Sequence, residues 1–216
     1  MQNAKSPSLT QLDLPGEASR WKALGFSVPS GQLRIGQVDC RVDASEVSWG
    51  FTSADVSISG ISSIPRSLRE TGETGSKSTA HANGAFKIDH VVVVSDDPAG
   101  TRSQFESSGF VAKGERFVGE ADAQRSQTFF WSGELLLELV GPAHGSAAEG
   151  PRARIWGVTF VVDELDRLEQ AAGELVSNPR AALQSGRKIA VAGEAAGMGM
   201  QIAFMTPHIR RADSKK

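Results

Sequence analysis

The feature that most limits how this chain can fold is an internal repeat in its C-terminal half. One copy opens with FKIDHVVVVSDD (residues 86–97) and the other with RIWGVTFVVDEL (154–165). Both are β-branched runs, which predicts a strand, and both end in acidic residues that suit the start of a helix. In the first copy Asp97 precedes Pro98, the pairing expected at N-cap and first helical position, and the helix through TRSQFESS stops at Gly109. In the second, Asp163 takes the same place. Leu165, Leu168 and Ala172 mark one helical face, and Gly173 lies near its end. The segments GFVAKGERF, RSQTFFWSG and ELLLELVGP then read as strands. In the second copy a polar loop, SNPRAALQSGR, leads to KIAVAGE and MGMQIAFMTP. Each copy is therefore β-α-β-β-β, with units at 85–142 and 153–208. The expected class is α+β, because a Rossmann-type chain would alternate strand and helix throughout.

The rest of the chain divides by composition. Residues 1–13 are polar and expected to be a disordered tail, 65–84 a Ser/Thr/Gly-rich linker, and 209–216 a second tail. Between them, 14–64 holds EASRWKALGF, a helix pattern ending in Leu-Gly-Phe much as ESSGF ends in the first copy. The alternating runs QLRIGQVDCRV and VSWGFTS follow. No opening strand is visible for it. A partial βαβββ-like unit and an unrelated strand-rich accessory element both fit. The formal net charge of -2 leaves no field to attract nucleic acid, and no run approaches the ~18 apolar residues of a membrane span. Cys40 is the only cysteine, which excludes an internal disulfide and cysteine-held zinc or iron–sulfur sites. It is expected to be a buried residue of a strand. With no apolar leader at the N-terminus, the expected location is the cytoplasm.

The ordered set IDHVVVVSDD, ESSGF, SQTFFW and LLLELVGP, then IWGVTFVVDELD, QSGRKIAV and QIAFMTP, resembles the glyoxalase-like members of the vicinal oxygen chelate superfamily over residues 86–208. That superfamily includes glyoxalases, extradiol dioxygenases and bleomycin-resistance proteins. The resemblance implies curled mixed sheets around a shared cavity, with metal ligands on the first and last strands of each unit. Carried over by position, it implies His90 and Glu138 as catalytic groups and ligands of a divalent metal ion. Gly157 and Ala203 stand at the equivalent positions of the second unit, so half the ligand set is missing. A third ligand would have to come from elsewhere, for example Gln127, Asp39 or His208.

Strand alternation places Ile88, His90 and Val92 on one face, and Leu136, Glu138 and Val140 on another. Gln127, Phe129 and Trp131 alternate on one strand and are candidates for substrate binding, with core packing as the plain reading of the two rings. Gln184 and Arg187 form a polar group in which Arg187 offers a planar fork for an anionic or carbonyl substrate; a solvated surface arginine is the simpler reading. Glu138 without a metal would pair with Arg125 or Arg187. GEAAGMGM (193–200) lacks nucleotide-loop spacing and reads as a connection bordering the cavity. Two functions follow: transformation of a small carbonyl, oxygenated or aromatic metabolite, or sequestration of such a ligand without catalysis. The expected partners are a small-molecule ligand and a second copy of the chain, as a homodimer.

Overall fold

The structure is a computed structural model and describes residues 6–52, 56–65, 80–120, 123–145 and 150–208. The N-terminal part builds β1 (Leu9–Asp13), α1 (Ala18–Ala23), β2 (Gln32–Ile35), β3 (Val38–Arg41), β4 (Ser48–Phe51) and β5 (Ser62–Ser63). The first repeat builds β6 (Ala85–Ser95), α2 (Pro98–Ser107), β7 (Ala112–Val118), β8 (Arg125–Ser132) and β9 (Leu135–Pro142). The second builds β10 (Ala153–Val162), α3 (Leu165–Ala172), β11 (Arg180–Ala181), β12 (Lys188–Val191) and β13 (Gln201–Met205). Both repeats thus have the expected βαβββ order. Asp97 caps α2 by accepting from the Gly100 N–H at 3.0 Å, and Gly109 ends it at φ +92°. Asp163 does not cap α3. The N-cap is Glu164, and the Asp163 carboxylate accepts instead from the Glu164 N–H and from Arg167.

The two repeats form one sheet of eight strands in the order β11-β12-β13-β10-β6-β9-β8-β7. In each unit the opening strand runs parallel to the closing one, β6 with β9 and β10 with β13. The two opening strands pair antiparallel at the centre.

The N-terminal sheet has the order β2-β3-β1-β4-β5. Its connections repeat those of the larger sheet in shortened form. β1 is parallel to β3, antiparallel to β4, and β4 is parallel to β5. The missing opening strand is β1 itself, within the stretch expected to be a disordered tail; Leu9 and Leu12 are buried there. A break in register between Leu9 and Gln11 puts those two leucines three residues apart, so the run does not show strict alternation.

Both sheets share one hydrophobic core. Phe26 meets Trp21, Phe160 and Phe204 with ring centroids 5.0–6.0 Å apart, and Trp49 and Phe51 meet Phe105 and Phe110. Cys40 is a buried free thiol in β3, as expected.

Of the expected linker, residues 66–79 lie outside the described residues. Its end is a clasp. His81 and Asn83 are buried. Asn83 donates to the Leu24 carbonyl and accepts from the Ala85 N–H, while Arg167 donates to the His81 carbonyl. The His81 ring accepts from the Ser27 N–H at Nδ1 and faces the Arg34 carbonyl with Nε2, both at 3.0 Å. A carbonyl only accepts, so Nε2 carries the proton and the ring is neutral.

Burial lowers the His81 pKa from its ordinary 6.5, against a weaker opposite pull from the Arg34 carbonyl. A proton on Nδ1 would break the bond from Ser27 and leave a charge buried. The stability due to neutral His81 is therefore complete above pH 6.5 and is lost as pH falls below it. Melting curves between pH 8 and 5 should show a decline below about pH 6.5 that is flattened in His81→Gln.

Candidate functional site

One face of the large sheet is packed against the core, and the other carries the site. Strand pairing sets the side chains of that second face in rows. Thr159, His90 and Leu136 are register partners across β10, β6 and β9; Gly157, Val92 and Glu138 form the next row; Arg154, Val94, Val140 and Gln127 a further one. Rows two residues apart are separated by about 6.6 Å at the usual strand rise. All of these but Leu136 line a cavity of about 750 Å³, with Arg125, Trp156, Val158, Arg180, Ile189, Val191, Gln201 and Ala203 completing its wall.

The register supports the equivalences read from sequence. The central pairing relates β6 to β10 about Val91 and Val158, so His90 corresponds to Gly157. Glu138 pairs with Val92 as Ala203 pairs with Thr159. One expectation of alternation is corrected: Ile88 and His90 do not share a face. Ile88 is 3% exposed in the core, and His90 lines the cavity. A bulge at Asp89 inserts one residue between them, because Thr159 faces His90 while Phe160 faces Ile88. A second bulge at the equivalent point of β10 is Trp156, between partners Ile155–Val93 and Gly157–Val92.

The bulged Asp89 anchors a polar chain. One carboxylate oxygen lies 2.9 Å from His90 Nδ1 and the other accepts from Arg187 Nη2 at 2.7 Å. Burial pushes this carboxyl up. The hydrogen bond from His90, then the bond and charge of Arg187, overcome that effect and hold it well below the usual carboxylate range. Asp89 is thus ionised and can only accept, which makes His90 Nδ1 the donor. In the neutral ring Nε2 is then an acceptor, and the Thr159 hydroxyl donates to it at 3.0 Å.

Arg187 is 2% exposed and fully committed. It donates to the Thr206 carbonyl and His208 Nε2 as well as to Asp89. This corrects its reading as a surface or substrate-binding group: it fixes Asp89 from behind the cavity wall. Gln184 is exposed and lies outside the cavity. Phe129 is the register partner of Glu138, but its ring is covered by Arg116 at 5.3 Å; Trp131 is 47% exposed, and neither lines the cavity. Gln127 does line it and accepts from Arg116. Of residues 193–200, all but Ala195 and Ala196 wall a neighbouring hollow shared with Arg154, Trp156 and Gln201. The signals that sequence reasoning missed are Asp89, hidden inside an apolar run, and Thr159, read only as a strand former.

The residues present do not fit a tightly held cation. Both nitrogens of His90 are engaged, and Glu138 is the only acidic residue in the cavity wall. Asp39 pairs with Arg34 in the N-terminal sheet and His208 with Arg187, so neither supplies a third ligand. Among the described residues no three His, Cys, Asp or Glu side chains group as a metal site would require. Position 157 is also closed: a Cβ there would sit 2.8 Å from the Gln201 carbonyl oxygen.

No protein-family model matches the sequence, and no curated protein matches it. Solved structures do. A variant 4-hydroxymandelate synthase from Streptomyces coelicolor aligns over 97% of this chain and 95% of its own, at 12% identity and TM-score 0.54. A xylose isomerase-like TIM barrel/4-hydroxyphenylpyruvate dioxygenase fusion protein aligns over 97% of this chain and 50% of its own, at 12% identity and TM-score 0.55. Methylmalonyl-CoA epimerase from Mycobacterium tuberculosis aligns over 62% of this chain and 95% of its own, at 16% identity and TM-score 0.45. At such identities the first two establish the fold and nothing finer. Among the described residues no helix is long and apolar enough to cross a membrane.

Removing one partner of the Asp89–Arg187 pair leaves the other charge buried. Arg187→Met should cost about 3–5 kcal/mol in urea unfolding. The double variant with Asp89→Asn should recover part of that loss.

Proposed function

We propose that this protein, whose fold is that of the vicinal oxygen chelate superfamily, binds a small carbonyl-containing or oxygenated compound in the concave cavity and moves a proton on it. The observation that carries this reading is the placement of two proton-handling groups, His90 and Glu138, on adjacent strands and one row apart over the same cavity. Glu138 forms no hydrogen bond or ion pair with a described residue. Neither Arg125 nor Arg187 takes it up. A carboxylate beside Val92 in the cavity wall, without an ion pair to a described residue, is placed to act as a base toward a carbon acid.

His90 has the complementary part. Asp89 fixes its tautomer and ring plane and balances the charge of a doubly protonated ring. When the ring carries a second proton, on Nε2, and Thr159 turns aside, that proton can pass to the oxygen that gains charge as Glu138 removes one from the adjacent carbon, leaving a neutral His90 and a protonated Glu138. Gln127 and Gln201, in the same wall, offer amide donors to orient the substrate. The step needs protons and fixed dipoles only.

Gly157 and Ala203, which carry no functional side chains, favour a second reading, in which the cavity sequesters its ligand without altering it. Proton exchange separates the two. Incubating the protein in D₂O with hydroxyacetone, 2-oxobutyrate and phenylpyruvate, followed by proton NMR, reports deuterium entry at the carbon next to the carbonyl. The expected result is exchange above the buffer rate with at least one of them, reduced about 10²–10⁴-fold in Glu138→Gln. Binding seen by thermal shift, with exchange no faster than buffer, would replace transformation with sequestration.

A further inference from the structure

We infer that the cavity takes an anionic ligand, a carboxylate or phosphate ester, whose charged group lies at the end lined by Arg125 and Arg154. This rests on the reading of the cavity as a small-molecule site and adds the ligand's charge class and orientation. The cavity wall holds three guanidinium groups, Arg125, Arg154 and Arg180, against the single carboxylate of Glu138. The chain as a whole carries a net charge of -2, so this excess of positive charge is local.

Arginines elsewhere in the described residues are used up. Arg34, Arg41, Arg102, Arg167 and Arg187 each face a carboxylate. Arg20 donates to the Gly197 carbonyl and Arg116 to the Gln127 side chain. Arg125, Arg154 and Arg180 form no side-chain hydrogen bond or ion pair with any described residue, and all three line the same cavity. All three are exposed; Arg125 and Arg154 stand at one end of the cavity, and register puts Arg180 at the other. Guanidinium supplies the planar fork that oxyanions match, and low-dielectric walls focus the field toward the opening.

Register fixes the orientation. Arg154 pairs with Val94, four residues along β6 from His90, which is about 13 Å at the usual rise. Arg125 lies two residues beyond Gln127 in the same direction along β8 and shares a second hollow with Arg154. His90 and this arginine pair therefore lie two rows or more apart along the cavity, with Glu138 in the row between them. Trp156, 42% exposed at its bulge beside Gly157, gives a flat apolar surface between them. The ligand that fits has its acidic group several bonds from its reacting carbonyl and a flat or apolar middle.

Two fluorescent probes with one ring system make the test. 1-Anilinonaphthalene-8-sulfonate is anionic, and N-phenyl-1-naphthylamine is its neutral counterpart. In full-length protein the sulfonate should bind at least about tenfold more tightly than the amine, as one charge-assisted contact permits. Arg125→Gln with Arg154→Gln should abolish that preference while leaving the amine titration in place, which shows the cavity intact. Raising salt from 0.1 to 1 M should weaken only the sulfonate, as the screening length falls from about 10 to about 3 Å. Displacement by phenyl phosphate or by phenylacetate then tells phosphate from carboxylate. Equal affinity for the two probes, or a double variant that keeps the sulfonate preference, overturns the inference. Exchange dependent on Glu138 alongside that result would leave the catalytic reading standing; loss of exchange with a retained arginine-dependent preference would do the reverse.

Discussion

Everything in the larger domain depends on the antiparallel pairing of β6 with β10. Each βαβββ unit alone is a four-stranded sheet with two open edges and one apolar face. Joined through their opening strands, the two units become one curved surface with a dry side and a wet side. The dry side is continuous with the N-terminal layer through Phe26, Phe160 and Phe204. The wet side holds the cavity. The same pairing carries three breaks of register, of which the bulges at Asp89 and Trp156 stand at equivalent places on the two strands. One presents a carboxylate and the other an indole, so a symmetric frame delivers an asymmetric site.

The Asp89–Arg187 pair shows how that asymmetry is held. A nearly buried ion pair is costly to desolvate and is weak evidence for stability. Here it specifies geometry. Arg187 arrives from the residue just before β12, Asp89 from the middle of β6, and Arg187 joins Asp89 to the Thr206 carbonyl and His208 near the C-terminal end of the described chain. His90 then inherits one tautomer and one ring plane. The imidazole that faces the cavity is thus held by a contact between two residues outside the cavity wall.

The repeat was legible because period-two runs, an Asp-Pro helix start and closing prolines recur in order. The counting that matched His90 with Gly157 and Glu138 with Ala203 survives in the strand register for the same reason. Legibility ended where the backbone departs from strict alternation. An extra residue at Asp89 sends Ile88 to the core, and a break after Leu9 disguised β1 as a polar tail. Arg187 was misread because SGRK has the composition of a solvated loop, while its partners lie 98 residues upstream and 19–21 downstream. The arginines at 125, 154 and 180 carry no local motif at all. They become a group only when β8, β10 and β11 are folded around one space.

Gly157 carries a consequence for how such a chain can change. Its α-carbon lies so close to the Gln201 backbone that the neighbouring strand occupies the volume where a side chain would begin. A side chain at position 157 would require the Gln201 backbone, on the strand paired with β10, to shift from its place. Substitution there is therefore coupled to the pairing of β10 with β13, so packing as well as chemistry restricts what this position can carry.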